Sequence, residues 1–136
     1  MKYLIVLLIA FSFQLHAQDS TKVKAPRLFM EQEMHKPIIV NDVSVTLKKV
    51  LNDSRCPIDV NCIRAGEAKI IVEIVKGGEI RKVKEVIIEV NPTGDYNGLI
   101  YTDKFTTIYA IDLLPYPENN VKTETYFLKV EAKKTN

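Results

Sequence analysis

Cys56 and Cys62 are the only cysteines in a chain of 136 residues. They lie within Asp53-Ser54-Arg55-Cys56-Pro57-Ile58-Asp59-Val60-Asn61-Cys62-Ile63-Arg64-Ala65-Gly66-Glu67-Ala68, between two runs that read as β-strands. A pair of cysteines can bind a metal, supply a nucleophile or form a disulfide. Zinc usually takes four nitrogen or sulfur ligands, and its cysteine pairs are commonly spaced more tightly. The one histidine beyond residues 1–17, His35, lies far away in sequence. No metal site and no cofactor are therefore expected. A Cys56–Cys62 bridge is expected instead, with a bridge between two copies as the alternative. Bridged cysteines are not nucleophiles.

The residues around the pair each have a structural role. Closing a ring this short stabilises a fold by about 2.4 kcal/mol on chain-entropy grounds. Against a total stability of roughly 5–15 kcal/mol, that is a substantial share. Pro57 stiffens the ring by fixing its φ. Asp53 and Ser54 can accept from backbone amides two or three residues on. Arg55 can pair with Asp53 or Asp59, or donate to loop carbonyls. Gly66 lets the chain turn back into the next strand. A structural staple accounts for all of these. The functional reading is that the ring presents Ile58, Asp59 and Val60 rigidly to a partner, because preorganisation reduces the entropy lost on binding. Protease inhibitors use that device.

Other chemistry finds less support. A Ser-His-Asp set would have to recruit His35, which sits beside Lys36-Pro37 in a polar segment. Gly77-Gly78 and Gly94 lack the spacing of a phosphate loop. Asp95 and Asn97-Gly98 lack the full calcium-loop pattern. Glycoside chemistry needs two acids roughly 5–10 Å apart, and the 17 acids of the chain offer many pairs. The segment from Asn91 to Thr107 reads as a long loop, and long loops often carry function. It holds Tyr96, Tyr101 and Phe105, with Tyr109 just beyond. A hydrolase with a carboxylate site near 91–107 is thus a further alternative. No catalytic residue is assigned, and an enzyme is the less supported class.

These residues need a scaffold, and strand signals dominate the chain. Arg27 to Glu33 reads as a first strand. Pro37 to Val40 and Val43 to Leu51 flank Asn41-Asp42, a turn-compatible pair. Val43, Val45 and Leu47 alternate with polar residues, the period of a half-buried strand. Lys48-Lys49 breaks that alternation, and a β-bulge would restore it at Val50. Ala68, Ile70, Val72 and Ile74 share one face. Gly77-Gly78 then turns the chain into a return strand bearing Val86, Ile88 and Val90. Ile71, Val75 and Ile87 add apolar bulk to the other face, which argues against a water-facing edge hairpin. Tyr109, Ile111 and Leu113 form a further strand, stopped by Pro115-Tyr116-Pro117. Tyr126, Leu128 and Val130 form the last. About seven short strands of this kind predict an all-β, single antiparallel β-sandwich. An open β-sheet or a partly closed barrel is the alternative.

Residues 1–17 have the three parts of a secretory signal: Lys2, an apolar run from Tyr3 to Phe13, and a small residue, Ala17, at a cleavage point. The run is short for a membrane span. Residues 18–26 form a flexible leader, and 27–134 the sandwich domain. The protein is expected to be exported, periplasmic or secreted, with no transmembrane segment in the mature chain. An oxidising compartment fits the expected disulfide. The chain has 19 basic and 17 acidic residues, and Lys2 leaves with the signal. Lys122, Lys129, Lys133 and Lys134 are interleaved with acids. Nothing in this balance points to nucleic acid.

The stretch Asp53-Ser54-Arg55-Cys56-Pro57, then Val60 and Cys62, then Ala65-Gly66-Glu67-Ala68, resembles a motif of small exported bacterial β-domain proteins of uncharacterised function. Similarity extends to Leu113–Pro117 and to the closing strand at Tyr126 to Val130. In that motif a tryptophan often precedes the Ala-Gly pair; Arg64 stands there in this chain, which has no tryptophan. The resemblance implies a secreted, disulfide-bearing β-domain and no particular activity. The functional expectation is an exported, non-enzymatic binding or structural module of the cell envelope. Its partner, of unknown identity, would be an envelope or extracellular protein or peptide.

Overall fold

A computed structural model of the chain describes residues 29–89 and 98–135. The signal, the leader, Val90 and the Asn91–Asn97 part of the expected loop lie outside those residues. The described residues hold eight strands and no helix: β1 Phe29–Glu33, β2 Pro37–Val40, β3 Val43–Asp53, β4 Glu67–Lys76, β5 Glu79–Glu89, β6 Gly98–Thr102, β7 Thr106–Leu114 and β8 Phe127–Lys134. They form two four-stranded sheets, ordered β1-β8-β7-β6 and β2-β3-β4-β5. Every pairing within them is antiparallel. The two sheets pack as a sandwich, and no closed barrel forms.

The alternation seen in sequence builds the core. Val43, Val45 and Leu47 of β3 face Ala68, Ile70, Val72 and Ile74 of β4, and all are buried. Val86 and Ile88 of β5 join them. From the second sheet come Ile100, Ile108, Ala110, Leu113, Leu128 and Val130. The β3 register shifts between Leu47 and Lys49, which is the bulge expected at Lys48-Lys49. Val50 is thereby turned back against the core. The β4–β5 turn at Gly77-Gly78 takes positive φ at both residues, +58° and +84°. Asn41, in the β2–β3 turn, also has a positive φ of 55°.

Three expectations are corrected. First, residues 98–102 are strand rather than loop. Leu99-Ile100-Tyr101 carries strong β formers, and Ile100 is buried. Gly98 permits the pairing, since a Cβ there would stand 2.6 Å from the carbonyl oxygen of Ala110. Second, Tyr109 and Ile111 do not share a face with Leu113. Ile108 and Ala110 point inward, and a register shift between Ala110 and Asp112 brings Leu113 in after them. A bulge reverses the phase of a period-two strand, so plain alternation misassigns everything on one side of it. Third, β5 is an edge strand, and Ile87 on its outer face is exposed. Among the described residues, no helix is long and apolar enough to cross a membrane.

Candidate functional site

The loop between β3 and β4 carries the cysteine motif at one end of the sandwich. Cys56 and Cys62 are disulfide-bonded, with Cα atoms 5.9 Å apart. The Val60 amide donates to the Pro57 carbonyl at 3.1 Å, so the ring turns at Ile58-Asp59. The two legs of the loop are cross-tied. The Ser54 amide donates to the Glu67 carbonyl at 2.9 Å, and the Cys56 amide to the Ala65 carbonyl at 2.8 Å. The Ser54 hydroxyl donates to the same Glu67 carbonyl at 2.9 Å. Gly66 makes this close approach possible. Its φ is +75°, and a Cβ would lie 1.9 Å from the Ser54 carbonyl oxygen.

Arg55 anchors the loop to the opposite sheet. Its side chain is completely buried. Nε and Nη2 donate to the two Asp53 carboxylate oxygens at 2.8 and 2.7 Å, a bidentate fork. Nη1 donates to the Leu113 carbonyl and, at 3.3 Å, to Asp112 Oδ1. Nη2 also donates to the Pro115 carbonyl at 3.1 Å. The guanidinium lies 4.3 Å from the centre of the Tyr116 ring. Burial opposes its charge. The hydrogen bonds and charge of Asp53, with Asp112 and Tyr116 behind them, outweigh burial and hold its pKa above the ordinary arginine value. The Leu114–Pro115 peptide is cis.

A second strap ties the ring to the segment after β7. The Ile58 amide donates to the Pro117 carbonyl at 3.2 Å, and the Asn119 amide to Asp59 Oδ1 at 3.4 Å. Asp59 therefore holds the loop, and Arg55 pairs with Asp53 and Asp112 rather than with Asp59. Three apolar side chains of the loop are nonetheless exposed. Ile58 is 76 % exposed, Val60 41 %, and Ile63 fully exposed. Polar Asn61 and Arg64 are exposed beside them.

Of the expected site residues, the structure brings Asp53, Arg55, Cys56, Pro57, Ile58, Asp59, Val60, Cys62 and Gly66 into one cross-tied loop. Asp112, Tyr116 and the carbonyls of Leu113 and Pro115 complete it, and sequence reasoning had not placed them there. Ile63 was likewise not singled out, although it is the most exposed apolar side chain of the loop.

The other candidates are differently placed. Asp103 accepts from Lys76 Nζ at 2.5 Å, from the Tyr101 hydroxyl at 2.8 Å and from the amides of Phe105 and Thr106, each at 2.8 Å. The Lys76 hydrogen bond, then those amides and Tyr101, hold its carboxyl well below the usual range. The same contact, with Tyr101, raises Lys76. Phe105 is exposed, and Tyr109 lies under Lys133, whose Nζ is 5.3 Å from its ring centre. Tyr96 and Asp95 lie outside the described residues. His35 is exposed in the β1–β2 turn. Among the described residues, no group of three or more His, Cys, Asp or Glu side chains could hold a metal ion.

No family model matches the chain, and neither a curated protein nor a solved structure does so.

Proposed function

We propose that the chain is an exported, non-enzymatic module of the cell envelope. It binds a protein or peptide partner through the tip of the 56–62 ring. The observation that carries this reading is the contrast at the tip. The backbone is fixed by a disulfide, two straps and a buried arginine, while Ile58, Val60 and Ile63 project into solvent. An apolar surface already held in one shape loses little entropy when a partner covers it. Export is supported by the signal pattern of residues 1–17, and the disulfide fits an oxidising compartment. The resemblance to small exported bacterial β-domain proteins points the same way.

The protease-inhibitor reading is less well supported. The ring turns at Ile58-Asp59 and uses the Ile58 and Val60 amides internally. A substrate-like loop would present such amides to the protease in an extended strand. The hydrolase reading is weaker still. Asp103 is pinned by Lys76 and held below the usual carboxylate range, whereas a general acid needs its pKa raised.

The test is a cross-linking capture from envelope extracts with the chain from Gln18 onward. The wild type is compared with Ile58→Asp/Ile63→Asp. Loss of a captured protein, with an unchanged unfolding midpoint, is the expected result. Equal capture by both forms, or capture by neither, would overturn the reading.

A further inference from the structure

Lys82 and Lys84 lie in the same strand phase as Val86 and Ile88, whose side chains enter the core. Both lysines therefore belong to the inner face of β5. They stand where β5 and β6, the edge strands of the two sheets, come together along one side of the sandwich. A cavity of about 320 Å³ opens there, lined by Ile74, Lys82, Lys84, Leu99, Ile100, Tyr101 and Thr102. Ile74 and Ile100 are each 2 % exposed and give it an apolar floor. That volume is within the range of small-molecule pockets, which combine apolar walls with a few polar groups.

Among the described residues, no carboxylate pairs with either cation. Lys84 Nζ donates to the Leu99 carbonyl at 2.6 Å, which occupies one of its three donors. Lys82 has no hydrogen-bond or ion-pair partner among the described residues. Glu85 is in the opposite phase, exposed on the outer face. Glu73, also outward, is paired with Lys48. Asp103, beyond Tyr101, is satisfied by Lys76. Partial burial, and then the charge of Lys82, lowers the pKa of Lys84. An anion between the two ammonium groups would relieve that repulsion. Inward charge on an edge strand also guards against edge-to-edge pairing. That role explains the lysines, but not the apolar-floored cavity beneath them.

We propose that this cavity binds a small aliphatic carboxylate, its chain on Ile74 and Ile100 and its carboxylate between the Lys82 and Lys84 ammonium groups. The site is separate from the ring and independent of its function. Octanoate is the probe, with octanol and octylamine as controls. Each is titrated into the full mature chain by calorimetry and by amide NMR. Saturable octanoate binding that shifts the amides of Leu99 to Thr102 is expected, at least tenfold tighter than either control. Lys82→Glu/Lys84→Glu keeps the edge charged, so it preserves the guard role while reversing the field. It should lose octanoate binding and favour octylamine. Lys82→Glu alone, which spares the Lys84–Leu99 contact, should weaken octanoate at least tenfold with an unchanged unfolding midpoint. The proposal is overturned if the wild type shows no saturable octanoate binding, if octylamine binds it equally well, or if Lys82→Glu binds octanoate as the wild type does.

Discussion

Arg55 and Gly66 show how single residues decide the geometry of the ring end. The Arg55 guanidinium uses a flat fork on Asp53, two backbone carbonyls and a ring face at once. Lysine keeps the charge but has neither the fork nor the stacking plane. Arg55→Lys should cost about 2 kcal/mol. Arg55→Met should cost roughly 3–5 kcal/mol, because it strands a buried carboxylate. Urea unfolding checks both, and a smaller loss for Met than for Lys would contradict this account. Gly66→Ala combines a left-handed backbone with a Cβ driven into the Ser54 carbonyl, for a loss of more than about 3 kcal/mol. At Gly77 or Gly78 a Cβ would meet nothing within 4 Å, so alanine there should cost only about 1–2 kcal/mol. Asp53, Arg55, Pro57 and Gly66 were legible as loop-structuring residues because their partners are local. Asp112 and Tyr116 were not. They meet Arg55 across 57 and 61 positions of chain, and no local pattern encodes such a contact.

At the scale of elements, the ring is a reinforcement laid over a loop that is already tied. The Ser54–Glu67 and Cys56–Ala65 hydrogen bonds and the Arg55 anchor do not depend on the disulfide. Cys56→Ser/Cys62→Ser should therefore remain folded and lose about 2.4 kcal/mol, the chain-entropy value for so small a ring. A far-ultraviolet spectrum equal to that of the wild type, with a lower urea midpoint, is the expected outcome. Global unfolding at neutral pH would mean that the other ties contribute little. The strands themselves divide into readable and unreadable ones. β3 and β4 carry clean alternation, and even the Lys48-Lys49 bulge was visible as a break in it. In β7 the bulge replaces one apolar residue by another, Ile111 beside Ala110, so nothing in the pattern marks the change of phase. β6 was hidden because it opens on Gly98 and is flanked by Asn97 and Asp103-Lys104, all turn-like residues.

At the scale of the whole molecule, Arg55 and Lys76 form charged clasps between the sheets at opposite ends of β3 and β4, and they should respond differently to pH. At the ring end, Arg55 links the β3–β4 loop to the end of β7 and is buried. At the other end, Lys76 of β4 reaches Asp103 and Tyr101 beside the β6–β7 turn. Asn41 Nδ2 adds a hydrogen bond to Thr106 Oγ1 at 3.0 Å. The Lys76 clasp is partly open to solvent, so salt should weaken it. Asp103 has its pKa depressed in the folded state. Its contribution is thus fully present above the unfolded aspartate value of about 3.9, and is lost as pH falls through the lower folded value. Lys76 is raised, so its contribution holds below the unfolded lysine value of about 10.4 and fades as pH climbs through the folded one. Between those limits the clasp should be insensitive to pH. Asp103→Asn removes the titrating group while keeping an acceptor for the Phe105 and Thr106 amides. The variant should be less stable than the wild type at pH 7, and the gap should narrow steadily as pH is lowered from about 4 to about 2. Urea unfolding at a series of pH values measures it directly. A gap that stays constant into acid would show that Asp103 does not couple proton binding to folding, leaving the fold's acid sensitivity to other carboxylates.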